Sequence, residues 1–359
     1  MKIISTVLVL SLFIAVPSRS YAVAPVSVSA ESCVLMYEDG RCVYEKNADD
    51  KRLIASTTKI MTAIICIEEL GLNERVKIKA EHCNVEGSSM YLKAGEYYTV
   101  KELLLGLLLA SGNDAALALS DYVAGDNHKF ASLMNKKAES LGMYNSSFVN
   151  PHGLDARNHY STARDMATLM LYCMQNETFS ELCSTESTVI KNHNYRNHNK
   201  LLGMCGGCIA GKTGFTAAAG RCLVSCVERN GIRLVCVTLS APDDWNDHCK
   251  LYDYAYENYV LRDITNEAEY LVPVISGSRE FVKIRPEKKL FFFVNKKDKI
   301  KLNAEIPNFI FAPVKMGETA GNICVIINNN VVSTHPLVYA ESVVIGYPCQ
   351  NKAGVEVSI

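Results

Sequence analysis

Residues 53–62 read Leu53-Ile54-Ala55-Ser56-Thr57-Thr58-Lys59-Ile60-Met61-Thr62, a polar step that leads into a mostly apolar run from Ile60 to Leu70. The run predicts a buried helix, and a spacing of three puts Ser56 and Lys59 on one helical face. A serine hydroxyl is inert near its free pKa, and a neighbouring lysine can activate it where desolvation and nearby cations make the neutral amine accessible. The free N–H groups of a helix start would face the oxygen of a carbonyl under attack. Alone, the pattern is weak, because ordinary residue frequencies give about one Ser-x-x-Lys by chance in a chain of this length. Its plain alternative is Ser56 as a helix cap beside a solvated Lys59.

Two further motifs add to it. Lys212-Thr213-Gly214 opens a strand-like region and is scarcer, with a chance expectation of roughly one in ten. There the lysine can hold an anionic substrate, the threonine can hydrogen-bond its carboxylate, and the glycine lets a substrate backbone approach closely. Ser111-Gly112-Asn113 offers a hydroxyl able to pass a proton and an amide able to bind a peptide carbonyl. The plain alternatives are a β-turn with an exposed lysine and a helix break with a local Asn cap.

Working outward, Asp39-Gly40 between two short strand-like runs, from Ser32 to about Lys46, predicts a hairpin. Val100 to Val123 is apolar on nearly all sides but broken at Ser111-Gly112-Asn113-Asp114, which predicts an interior helical stretch with its polar break at a cleft. Arg221–Glu228 and Ile232–Leu239 around Asn230-Gly231 predict a second hairpin, and His248–Val260 a last helix. Beyond about Arg262 the chain reads as short strands, among them Phe291–Val294, Ile323–Ile327 and Val331–Thr334. The expected organisation is an export segment over 1–24, an α/β domain over 25–261 and a small all-β domain over 262–359.

The 359 residues, 48% hydrophobic and 21% charged with a formal net charge of −1, are those of an ordinary globular protein. No field favours nucleic acid or an anionic membrane. Lys2, the apolar run Ile3–Val16 and the small residues of Ser20-Tyr21-Ala22 and Ala22-Val23-Ala24 predict a cleaved signal peptide, with a retained N-terminal anchor as the alternative. The chain is therefore expected outside the cytoplasm, at the cell wall or secreted. Of its 14 cysteines, Cys66, Cys222, Cys226 and Cys236 sit in apolar runs and are expected as free, buried thiols. Cys205 and Cys208 lack the partners of a zinc site, which leaves a local disulfide or free thiols. His193 and His198 read as part of a polar loop rather than metal ligands, and His152 and His159 as braces of loops beside the cleft.

The three motifs in this order resemble the active site of the penicillin-binding proteins and serine β-lactamases. The wider text resembles the low-molecular-weight D-alanyl-D-alanine carboxypeptidases of peptidase family S11. The likeness is carried by residues 53–62, Gly87-Ser88-Ser89-Met90, Asn150-Pro151-His152-Gly153-Leu154, His159-Tyr160-Ser161-Thr162-Ala163, Asn199-Lys200-Leu201-Leu202 and Gly211-Lys212-Thr213-Gly214-Phe215-Thr216. It spans about Ser32 to Val260, and Phe311-Ala312-Pro313-Val314 with Gly317 resembles that family's C-terminal domain.

The resemblance implies an α/β (α+β) transpeptidase fold like that of penicillin-binding proteins and serine β-lactamases, an antiparallel sheet flanked by helices, with a small C-terminal all-β domain. It also implies acylation and deacylation on a peptidoglycan stem peptide ending in D-Ala-D-Ala, without metal or cofactor. Ser56 would attack the penultimate carbonyl and Lys59 would take its proton. Ser111 would relay a proton to the departing D-alanine with help from Lys212, and Asn113 would orient the acyl part. Thr213 would bind the terminal carboxylate beside Gly214, and the N–H groups of Ser56 and Phe215 would form the oxyanion hole. β-Lactams would acylate Ser56 as substrate mimics.

Two departures matter. Many relatives place a carboxylate-binding arginine in the loop before the last helix, where this chain has Asp243-Asp244-Trp245-Asn246-Asp247-His248. Arg221 is a candidate substitute, and an ordinary surface strand residue is the alternative. Many relatives also end in an amphipathic membrane-surface helix, whereas Tyr347-Pro348-Cys349-Gln350-Asn351-Lys352-Ala353-Gly354 breaks any helix. That predicts a mature protein that is soluble or only loosely associated, without an integral span. Rival readings are a serine β-lactamase, which in class A would need a glutamate-held water, and a wall-binding protein that has lost the chemistry.

Overall fold

The computed structural model describes residues 26–346; the expected export segment and the stretch from Tyr347 lie outside the described residues. The chain divides between Tyr259 and Val260 into two compact units.

In the first unit the elements run β1 (Ser32–Tyr37), β2 (Cys42–Lys46), α1 (Lys59–Glu69), β3 (Arg75–Lys77), β4 (Tyr97–Thr99), α2 (Val100–Leu109), α3 (Asn113–Ala124), α4 (Asn127–Ser140), α5 (Ala163–Cys173), α6 (Glu177–Ser184), β5 (Ser187–Ile190), β6 (His193–Arg196), α7 (Leu201–Met204), β7 (Cys208–Thr216), β8 (Gly220–Arg229), β9 (Ile232–Leu239) and α8 (Asp244–Asn258). Five strands form an antiparallel sheet in the order β2-β1-β9-β8-β7, which leaves β7 at an edge. The expected hairpins are present. Gly40 at φ +88° turns β1 into β2, and Asn230 and Gly231, at +54° and +74°, join β8 to β9.

Strand periodicity then sorts the two faces. Val224, Cys226, Val235 and Val237 join the core formed with α1, α2 and α5. On the other face Ser225 and Thr238 bind His248 of α8, whose Nδ1 and Nε2 lie 2.7 and 3.0 Å from their hydroxyls. The single apolar stretch of the sequence becomes α2 and α3. A reciprocal cap between Thr99 and Glu102 opens α2, and the break at residues 110–112 lets the chain turn into α3.

Two elements differ from expectation. Helix α8 begins four residues before His248, because its polar first turn is buried against partners from elsewhere: Asp247 accepts from Ser29 and Ala30, and Asp244 from Arg221. The stretch read as a polar loop at Asn192–His198 is partly strand, with β6 paired to β5 through Lys191 and Asn192, both at positive φ. Cys66, Cys222, Cys226 and Cys236 are fully buried free thiols, and Cys205 and Cys208 are free thiols as well.

Among the described residues the second unit's elements are strands and one short 3₁₀ turn at Asn266–Ala268: β10 (Tyr259–Asp263), β11 (Tyr270–Ile275), β12 (Phe281–Pro286), β13 (Phe291–Asn295), β14 (Ile300–Glu305), β15 (Ile310–Phe311), β16 (Thr319–Ile327) and β17 (Asn330–Tyr339). Six of them form a sheet in the order β14-β16-β17-β12-β11-β15, and β10 pairs with β13. Val272, Val282, Ile284, Ile323, Val325 and Leu337 supply its separate core. Among the described residues no helix is long and apolar enough to cross a membrane.

Candidate active site

The turn that carries Ser56 is tightly enclosed. Ala55–Thr58 form one 3₁₀ turn that runs directly into α1, and Ala55 holds φ +45°, where a side chain is unfavourable. Two glycines let neighbouring backbone close on it. A Cβ on Gly153, itself at φ +89°, would stand 2.0 Å from the Ala55 carbonyl oxygen, and one on Gly214 would stand 2.9 Å from Ser56 N and 3.0 Å from Ile54 O. The sequence reading gives Gly214 to the close approach of a substrate. In the structure the backbone it admits is the protein's own Ser56 turn.

Lys59 is fully buried. Its Nζ lies 2.8 Å from Ser56 Oγ, 2.7 Å from Asn113 Oδ1 and 2.6 Å from the His152 carbonyl oxygen. Burial is the main reason its pKa falls well below the usual lysine range, the Lys212 cation adds to the drop, and Asp114 opposes it. An ammonium would donate to all three oxygens. A neutral amine has two N–H bonds for Asn113 and His152 and a lone pair left to face the Ser56 hydroxyl proton.

Asn113 is fixed from behind, its N–H donating to Ser88 O at 2.8 Å and its Nδ2 to Glu86 O at 2.6 Å. Ser111, at φ +61° between α2 and α3, has a buried hydroxyl with no hydrogen-bond partner among the described residues. Lys212 is buried on β7, donates to Thr213 O at 2.9 Å, and is pushed down to about 8 by burial. Ser56, Ser111, Thr213, Gly214 and Phe215 line one cleft of about 310 Å³, with Ser88, His198, Arg221, Asp244 and Trp245 completing it. Lys59 and Asn113 therefore join this group through direct bonds, and Lys212 through a charge that acts on Lys59. A larger cavity of about 1150 Å³ lies alongside, lined by Tyr91, His193 and His198 among others, but the reactive groups belong to the smaller one.

His152 and His159 act as braces. His159 Nε2 meets Thr58 Oγ1 at 2.8 Å while its Nδ1 accepts from Val149 N, and His152 Nδ1 accepts from Leu154 N. Burial first and the Lys59 charge with it hold His152 at about 3; burial, with a smaller push from Lys59, holds His159 at about 4, so both stay neutral. Away from the cleft, Glu81, His82 and Asp121 bring three ligand-type atoms close together. Lys79 Nζ already occupies Asp121 at 2.6 Å, and His82 Nδ1 accepts from Lys79 N, which leaves a proton rather than a lone pair on Nε2. That chemistry suits an ion-pair cluster.

Sequence reasoning misses four contributors. The His152 carbonyl is a backbone atom with no side-chain signature. Asp114 accepts from Ser89 Oγ and from the N–H groups of Met90, Leu92 and Ala115, and so fastens the 88–92 loop to α3. Its place directly after Ser111-Gly112-Asn113, at a helix start, was the available clue. Asp244 and Trp245 enter the cleft from a loop whose reading turned on what it lacked.

Comparison with known proteins agrees with this geometry. Residues 19–243 match the family described as D-alanyl-D-alanine carboxypeptidase, peptidase S11, and residues 265–344 match the C-terminal domain of penicillin-binding protein 5. The chain is 33% identical to the D-alanyl-D-alanine carboxypeptidase DacC of Escherichia coli over 88% of its own length and 85% of that protein's. It is 29% identical to DacF of Bacillus subtilis, with 87% and 85% covered. Penicillin-binding protein 5 from Haemophilus influenzae superposes with a TM-score of 0.76 at 25% identity, over 90% of this chain and all of that one. A buried lysine on a serine hydroxyl, beneath an edge strand that carries Lys-Thr-Gly, is thus found in a chain that belongs to the peptidase S11 family of D-alanyl-D-alanine carboxypeptidases.

Proposed function

We propose that the chain removes the terminal D-alanine from peptidoglycan stem peptides ending in D-Ala-D-Ala through an acyl-enzyme on Ser56. The observation that carries this reading is Lys59 Nζ, desolvated and 2.8 Å from Ser56 Oγ. Ser56 Oγ attacks the penultimate carbonyl carbon as its proton passes to Lys59. The oxyanion is held by the N–H groups of Ser56 and Phe215, a contribution whose loss usually costs about a hundredfold or more. As the C–N bond breaks, Ser111 passes its proton to the departing amine beside the Lys212 cation and takes the one held by Lys59 in its place, which leaves Lys59 neutral again. Water then attacks the ester as its proton passes to Lys59, the Ser56 Oγ–C bond breaks, Lys59 returns the proton to Ser56 Oγ, and the shortened peptide leaves.

Asn113 orients the acyl part and Thr213 receives the terminal carboxylate. Penicillins enter the same path as mimics of the substrate. Residues 1–24 serve export, 25–261 form the catalytic domain and 262–359 the C-terminal β domain, which places the enzyme at the cell wall or outside the cell. The test is release of free D-alanine from a peptide ending in D-Ala-D-Ala by residues 25–359, beside Ser56→Ala and Lys59→Ala. Release by the native protein that is lost in both variants supports the assignment. Release that persists in Ser56→Ala removes the acyl-enzyme.

A further inference from the structure

Cys205 and Cys208 frame the turn Gly206-Gly207 between α7 and β7, and their sulfurs turn to different partners. Cys208 Sγ lies 3.6 Å from the Ala210 carbonyl oxygen and 3.8 Å from Asn199 Nδ2. Cys205 caps the end of α7, its N–H donating to Leu201 O at 2.9 Å, and its side chain meets Cys249 of α8, with the two thiols within hydrogen-bonding reach of each other. Both are free thiols, Cys205 buried and Cys249 half-buried. A reagent in solvent therefore reaches the pair through Cys249.

Arg229 of β8 holds this approach in place. Its Nε donates to Gly206 O at 2.7 Å and its Nη2 to Cys205 Sγ at 3.5 Å, while its Nη1 pairs with Asp253 of α8 at 2.9 Å. Asp253 stands one helical turn beyond Cys249, so the guanidinium fastens the Cys205 turn to the face of α8 that carries Cys249. The pair also sits at a useful place in the fold. Cys205 ends the short helix whose Leu202, Gly203 and Met204 line the larger cavity, and three residues later begins β7, the edge strand with Lys212-Thr213-Gly214.

We propose that Cys205 and Cys249 form a thiol–disulfide site, closed by exchange with an external disulfide, whose bond clamps α7 and the start of β7 onto α8. The Cys249 thiolate, its proton lost to water, attacks one sulfur of the external disulfide and releases the first thiolate. The Cys205 thiolate then attacks the Cys249 sulfur of the mixed disulfide and releases the second. Two protein thiols lose two electrons and two protons, and the external disulfide is reduced to two thiols. Burial first, with Cys205 and Asp253 adding and Arg229 opposing, pushes the Cys249 thiol up to about 12, so the first step is slow at neutral pH and quickens as the pH rises.

The test incubates the reduced protein overnight with oxidised glutathione, alkylates the remaining thiols and locates the new bond by fragmenting the linked peptides in a mass spectrometer. A Cys205–Cys249 bond is expected, with Cys208 alkylated. Because Cys249 lies 44 positions beyond Cys205, closing that loop should raise the melting temperature by about 5–15 °C. Cys249→Ser should show neither bond nor shift, and Cys208→Ser should show both. A link from Cys205 to Cys208 or to any other cysteine, or glutathione left on Cys249 without an internal bond, overturns the proposal. A Cys205–Cys249 bond that leaves the melting temperature unchanged removes the clamp.

Discussion

Lys59 Nζ sits 2.8 Å from Ser56 Oγ while Asn113 Oδ1 and His152 O take it from two other sides. The two extra acceptors fix where the amine's hydrogens go, so once the lysine is neutral its lone pair has one direction left. Burial favours the neutral amine and these oxygens supply the aim.

Replacing Lys59 by Ala should slow acylation of Ser56 by a fluorescent penicillin about a hundredfold to ten-thousandfold, the usual worth of a positioned base. Lys59→Arg should not restore it, because a guanidinium cannot give up its proton in this range. Rapid labelling of the arginine variant would show that charge rather than basicity matters.

Gly214→Ala sets a methyl group against Ser56 N, Ile54 O and Thr57 N, all within about 3.0 Å. The strand and the Ser56 turn must then separate. The expected result is a fall in kcat of about a hundredfold. Steady-state kinetics with a D-Ala-D-Ala peptide will check it; native kcat would mean that the turn shifts without harm.

Lys212 is expected to act as a cation, and its pKa of about 8 puts the loss of that charge within reach of ordinary assays. Below pH 8 the protonated form dominates and activity is retained; above it, kcat/KM should decline with pH. A Lys212→Arg variant keeps its charge and should carry the plateau to higher pH. Superimposable alkaline limbs for the two proteins would rule out Lys212 as the group that titrates.

Asp114→Asn replaces one carboxylate oxygen by an NH2 group that faces two donors, either the N–H groups of Met90 and Ala115 at Oδ1 or the Ser89 hydroxyl and the Leu92 N–H at Oδ2. Leaving such groups unsatisfied costs about 1–3 kcal/mol. Urea unfolding should show a loss of that size with an unchanged m-value, and an unaltered midpoint would mean that the loop is held by other contacts.

Much of the architecture was legible because it is written in local spacing. The Asn230-Gly231 turn, the apolar run after Ser56 and the three-residue offset between Ser56 and Lys59 need only neighbouring residues to be understood. The first turn of α8 was not legible, since Asp244 and Asp247 look like surface residues until Arg221, Ser29 and Ala30 arrive. The β5–β6 hairpin hid in the same way inside a polar run.

Residue type and short-range geometry were enough to pick out the candidate nucleophile, its base and the order of the three motifs. Long-range packing set the rest: burial drives Lys59 toward its neutral form, Gly214 makes room for the Ser56 turn, and Arg221 is clamped by Asp244 beside the cleft. The reason is physical: desolvation and close approach are set by atoms distant along the chain. The two oxygens that aim Lys59 come from residues 54 and 93 positions away, and Asp244 lies 23 positions beyond Arg221.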